Sequence, residues 1–159
     1  MTERGTPAEF ARWVEPHLVV LARYAGRQVA LSDRDDVVQE ALIRAWQRWS
    51  TYDERRGTPV AWLLGILSDR CRRHRTRSSA SMVELVDTGA EASAEPDVDL
   101  ERAVQLLSRR QRTAVQLHYF VGLDVTTVAE VMGCAPGTVK ATLHQARARL
   151  RSLLGEDDD

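Results

Sequence analysis

The sequence predicts an all-α protein of two small helical domains joined by a flexible acidic linker, and three observations lead there. Apolar residues recur at helical rather than alternating spacing along most of the 159 residues. Between Met82 and Glu101 stand Glu84, Asp87, Glu91, Glu95, Asp97, Asp99 and Glu101 with no Lys or Arg, among Ser, Ala, Gly and Pro. From Asp124 to Leu154 the chain punctuates itself as two short helices around a tight turn. A composition of 43% hydrophobic and 28% charged residues is ordinary globular stock. Each half then has to bury a core of three or four helices, with expected boundaries at 8–77, 78–98 for the linker, and 99–154.

In the first half, Trp13, Trp46, Trp49 and Trp62 supply large apolar areas for so small a core. A helix from Asp33 carries Val37, Val38, Ala41, Leu42, Ala45, Trp46 and Trp49 as a broad apolar stripe. Asp36, Gln39, Glu40, Ile43, Arg44 and Gln47 then face away from it. Ser50 to Gly57 reads as a loop, closed by Thr58 as a cap and Pro59 in the first turn of the next helix. Ser50, Thr51 and Asp53 offer short polar groups to the edge of an unpaired base, and Tyr52 offers a ring on which it could stack. A plain polar interhelical loop is the competing reading. The helix that follows runs from Ala61 to Arg75, and its end carries Arg70, Arg72, Arg73 and Arg75, suited to phosphate through charge-assisted hydrogen bonds.

The second half opens on a capping box, Ser108 with Gln111, which starts a helix bearing Val115, Tyr119 and Phe120. Asp124 caps the next helix, whose Val125, Val128, Ala129 and Met132 form one buried stripe, and Gly133 stops it. Pro136 suits the first turn of a last helix, with Val139, Leu143, Ala146, Leu150 and Leu153 inward. Winding at about 100 degrees per residue leaves Lys140, Ala141, His144, Gln145 and Arg151 outward and Thr138, Arg147 and Arg149 on the flanks. No acid occurs there before Glu156. The pattern is a helix-turn-helix with a DNA-facing second helix; a helical hairpin with a solvated basic face is the bland alternative.

A net charge of −1 conceals this polarity, because the arginine runs and the acidic linker cancel. Cys71 and Cys134 fall in different halves, and no signal peptide or apolar span of about 20 residues stands out, so a reduced, cytoplasmic setting is expected. Cys71 and His74 have one-turn spacing, but a structural zinc needs a second ligand pair and none is near. Neither a Gly-rich phosphate loop nor a nucleophile pattern around His17, His118 or His144 is present. No cofactor, metal or catalysis is expected.

The string Tyr119-Phe120-x-Gly122-Leu123, Val128-Ala129-Glu130-Val131-Met132-Gly133-Cys134, Gly137-Thr138-Val139-Lys140 and Leu143-His144-x-Ala146-Arg147-Ala148-Arg149-Leu150 resembles region four of extracytoplasmic-function (ECF) sigma factors. Asp33-x-x-Asp36-Val37-Val38-Gln39-Glu40-Ala41-Leu42-Ile43-Arg44-Ala45-Trp46 is similar to their region two. The resemblance implies a bacterial transcription initiation factor with RNA polymerase core, promoter DNA and an anti-sigma factor as partners. The face from Asp36 to Gln47 would dock on the β′ clamp helices, and region four would sit at the β flap with its last helix in the minus-thirty-five element. The loop at Ser50 to Asp53 would capture a base flipped from the minus-ten element. Three departures qualify this. Bases usual near Gly65 and Ser68 are missing, Asp69 replaces a frequent asparagine, and arginines common at Thr142 and Gln145 are absent. A stand-alone helix-turn-helix regulator and a degenerate sigma-like interaction protein are the alternatives.

Overall fold

The computed structural model describes residues 5–80 and 98–155, and every regular element among them is helical. The chain separates into two compact units, Met1–Gly89 and Ala90–Asp159.

In the first unit α1 (Pro7–Val14) opens on a capping box: the Thr6 hydroxyl accepts from the Glu9 amide and the Glu9 carboxylate accepts from the Thr6 amide. A short 3-10 turn, Glu15–His17, leads into α2 (Leu18–Gln28), followed by α3 (Leu31–Arg48) and α4 (Pro59–Ala80). α2, α3 and α4 pack on one another through Leu21 and Ala25, Val37 and Ala41, and Leu64, Leu67 and Cys71, all nearly or fully buried. Each such leucine contributes roughly 1.5–3 kcal/mol by leaving water.

The four tryptophans lie elsewhere. Phe10 and Trp13 of α1 meet Trp46, Trp49, Tyr52 and Trp62 in a chain of ring contacts 5.1–6.1 Å apart, mostly edge-on or tilted. All of them stay half-buried, so they form an aromatic layer beside the aliphatic core rather than the core itself. α4 continues through Ser78 to Ala80, overlapping the start expected for the linker; the acidic residues from Glu84 to Asp97 lie outside the described residues.

The second unit comprises α5 (Val98–Gln105), α6 (Arg109–Val115), α7 (Val125–Met132) and α8 (Pro136–Leu153), with α8 packed on the other three. Ser108 and Gln111 form the expected capping box at α6. Its continuation, Gln116–Phe120, widens into a π turn marked by the Val121 amide bonding the Gln116 carbonyl at 2.9 Å. α7 begins on Asp124, whose carboxylate accepts from the Thr127 amide at 2.7 Å, and ends on Gly133 at φ +68, a left-handed C-cap. Val104, Leu117, Val121, Val128 and Val139 are nearly or fully buried between these helices.

Candidate nucleic-acid interfaces

α8 separates its two faces cleanly. Val139, Thr142, Leu143 and Ala146 are buried, with Leu150 and Leu153 half-buried below them. Thr138, Lys140, Ala141, His144, Gln145, Arg147, Arg149 and Arg151 are all exposed, as their spacing predicts. Thr142 turns inward because its hydroxyl donates to the Thr138 carbonyl at 2.8 Å, a local bond that lets a polar side chain enter the core. One contact was not legible in the sequence: Arg147 donates to the Tyr119 hydroxyl at 2.8 Å. Tyr119 lies within the π turn, half exposed, and its hydroxyl reaches α8.

On α3 the six outward residues, Asp36, Gln39, Glu40, Ile43, Arg44 and Gln47, are exposed, while Val37, Ala41 and Ala45 are buried. Ile43 shows 54% of its surface, an apolar group amid charges. Asp33, the first residue of the motif, does something the sequence did not disclose. Its Oδ2 lies 3.2 Å from His74 Nε2, tying the start of α3 to the far part of α4.

The loop before α4 is shorter than expected, because Ser50 and Thr51 continue α3 as a 3-10 turn, with the Thr51 hydroxyl donating to the Arg48 carbonyl. Both stay exposed. Asp53 is half-buried and accepts from the Arg55 amide and guanidinium. Tyr52 has partners that the sequence did not disclose. Its ring packs on Trp13 and Trp62 at 5.1 and 5.4 Å, and its hydroxyl donates to the Gly57 carbonyl at 3.1 Å. Engaged in this way it braces the loop.

Along α4, Arg72, Arg73 and Arg75 are exposed and Arg70 is mostly covered. Asp69 gathers three of the arginines, with Arg70 at 3.3 Å, Arg72 at 2.7 Å and Arg73 at 3.1 Å. Partial burial alone would raise its pKa, but Arg73, Arg72 and Arg70 outweigh it and hold the carboxyl below its ordinary value. The acid stays ionised. Arg75 donates to Gln28 on α2. Cys71 is fully buried, and desolvation pushes its thiol to about 11, leaving it protonated and inert. Among the described residues no group of three or more His, Cys, Asp or Glu converges on a point, and no helix is long and apolar enough to cross a membrane.

Comparison with known proteins agrees with both halves of this geometry. Residues 13–81 match the family profile of sigma-70 region 2 and residues 97–150 that of sigma-70 region 4. The ECF RNA polymerase sigma factor SigL of Mycobacterium tuberculosis is 32% identical over 153 residues, covering 89% of this chain and 86% of SigL. RNA polymerase sigma-E factor of Streptomyces coelicolor is 30% identical over 156 residues, covering 94% and 88%. Among solved structures, CnrH in complex with the cytosolic domain of CnrY superposes with a TM-score of 0.71 at 27% identity over 97% of this chain and 92% of that one. The sigma factor RpoE of Bartonella quintana, in complex with the anti-sigma factor NepR, gives 0.68 at 26% identity over 94% and 99%. With both regions present in order on two helical units, the chain belongs to the extracytoplasmic-function sigma factors, non-enzymatic initiation factors of transcription.

Proposed function

We propose that the two units divide promoter recognition between them. The first, over about residues 8–77, holds core polymerase through Asp36, Gln39, Glu40, Ile43, Arg44 and Gln47 on α3 and engages the opened minus-ten element through Ser50, Thr51, Tyr52, Asp53 and the arginines of α4. The second, over about 99–154, lays α8 in the major groove of the minus-thirty-five element and rests on the β flap. Residues 78–98, apart from the helical ends at Ala80 and Val98, serve as the acidic linker between them.

The observation that carries this reading is α8 itself. Its exposed face has Lys140, His144, Gln145, Arg147, Arg149 and Arg151 and no acid, above a face closed by Val139, Leu143 and Ala146. A helix so divided has reach for base edges at its centre and for phosphates on its flanks. An anti-sigma factor as a further partner is supported by the relatives solved with CnrY and NepR, and the exposed Ile43 amid the charges of α3 is a surface such a partner could cover. Run-off transcription tests the assignment: this chain added to core polymerase starts transcripts at a defined site. Binding of a palindromic duplex as a dimer, with no transcript, would establish a stand-alone regulator instead.

A further inference from the structure

Just ahead of α1 the chain approaches the aromatic layer closely enough to exclude a side chain. A Cβ added to Gly5 would stand 2.7 Å from Trp49 Cζ3, 3.0 Å from Trp49 Cη2 and 2.8 Å from a Glu9 carboxylate oxygen. Carbon atoms in comfortable contact sit about 3.5–4.0 Å apart. Neither neighbour can readily give way. The Trp49 ring is held by Phe10 at 5.3 Å, Trp13 at 5.8 Å and Trp46 at 6.1 Å, and the Glu9 carboxylate accepts from the Thr6 amide in the capping box of α1. Half-buried Gly5 thus lays bare backbone against the far edge of an indole, a use for which glycine is suited.

The indole it covers begins the loop before α4. Trp49 is the first residue of the 3-10 turn Trp49–Thr51, and its carbonyl accepts from the Tyr52 amide at 3.0 Å. Ser50, Thr51 and Asp53 are therefore carried on backbone whose first residue is anchored by its ring. A second tie reaches the far end of the loop from the same layer: Trp13 packs on Tyr52 at 5.1 Å, and the Tyr52 hydroxyl donates to the Gly57 carbonyl at 3.1 Å. Both ends of the loop take their position from α1 and from the residue two places before it begins.

We propose that Gly5, acting through the Trp49 ring, is a positioning residue that sets where Ser50 to Asp53 stand and so tunes which minus-ten base the loop accepts. The inference rests on the reading that this loop engages the opened minus-ten element. Gly5 itself touches no DNA in this role. Short polar side chains discriminate a base only when they are held within hydrogen-bond reach and at a workable angle, so a displacement of well under 1 Å at the loop alters the choice. A methyl added at residue 5 pushes the indole, and a closely packed layer passes that push to the attached 3-10 turn rather than absorbing it.

The test uses the full chain on core polymerase and fluorescent single-stranded oligonucleotides from the nontemplate minus-ten region of a promoter it transcribes, with each base placed in turn at each position. Anisotropy gives the preference for the best base over the next. Gly5→Ala lowers that preference by about fivefold, the lower end of what one base contact is worth. Helicity, melting, affinity for core polymerase and duplex minus-thirty-five binding stay native. Trp49→Phe removes the ring atoms that the new methyl would strike. The double variant, Gly5→Ala with Trp49→Phe, therefore discriminates better than Gly5→Ala alone and no worse than Trp49→Phe alone. Native preference in Gly5→Ala, or losses that simply add in the double variant, overturn the positioning role. An equal loss of base preference at the minus-thirty-five element shows general damage and overturns it too. If Ser50→Ala, Thr51→Ala and Asp53→Ala all keep native minus-ten preference, the loop reading itself fails, a result that Gly5→Ala by itself does not produce.

Discussion

His144 and Gln145 stand exposed on the central outward face of α8, where they have reach for base edges, whereas Arg147 and Arg149 lie on its flanks. Replacing His144 or Gln145 with Ala is expected to change which minus-thirty-five bases are preferred, by roughly 1–3 kcal/mol per lost base contact, in a promoter library read out by transcription. Unchanged preference in both variants would remove them from base reading. Arg147→Ala weakens all promoters alike, and Tyr119→Phe reproduces a fraction of that loss, at most about 1 kcal/mol, because it only releases the Arg147 side chain from its 2.8 Å bond. Cys71 makes a prediction about pH. Burial raises its thiol to about 11, so its neutral form contributes stability that is complete below the unfolded value near 8.5 and is lost as pH rises through the folded one. Thermal melts between pH 8 and 11 should show an alkaline loss that Cys71→Ala diminishes; equal alkaline loss in the variant would place its origin elsewhere.

Helices set the next scale. α3 presents its charges on one side and packs Val37, Ala41 and Ala45 on the other, so the proposed docking face is distinct from the face that holds the fold. Glu40→Lys is expected to lower affinity for core polymerase while helicity and melting change little, since surface substitutions usually shift stability by no more than about 0.5 kcal/mol. Trp46→Ala acts on the opposite face. It removes ring contacts to Phe10 at 5.4 Å and Trp49 at 6.1 Å and loosens α1 from α3, at a cost somewhat below the roughly 3–5 kcal/mol of a fully buried tryptophan because the ring is half-buried. Comparable melting in the two variants would mean the faces have been exchanged. Ser108→Ala, which opens the capping box at α6, should lower the stability of the second unit by about 1 kcal/mol in denaturant titrations.

At the scale of the whole molecule, each unit owns its core: Leu21, Leu64 and Leu67 in one, Leu117, Val128 and Val139 in the other. Leu64→Ala is expected to destabilise the first unit by roughly 2–5 kcal/mol, while hydrogen exchange in α7 and α8 stays unchanged. Loss of protection in both units together would show that they fold as one. If the two units recognise separate promoter elements, as proposed above, this independence lets either dock without disturbing the core of the other.

The sequence by itself determined what depends on one helix at a time. Periodicity separated the faces of α3 and α8, and Ser108, Asp124, Gly133 and Pro136 are local punctuation whose chemistry acts within a turn. The motif strings then identified the family, since residue order along each helix survives in the chain itself. Tertiary structure decided whatever needs two elements. That the tryptophans make a layer outside the aliphatic core, that Tyr52 braces its loop, and that Arg48 shares a groove with Arg73 all depend on where α1, α3 and α4 cross. Asp33 pairs with His74 across 41 positions of sequence for the same reason. The π turn belongs with these. No spacing signal announces its wide turn, and only packing against α8 gives Tyr119 its partner, Arg147. Spacing reports which way a side chain faces from its own helix; what it meets there is set by the angle and distance at which the next helix arrives.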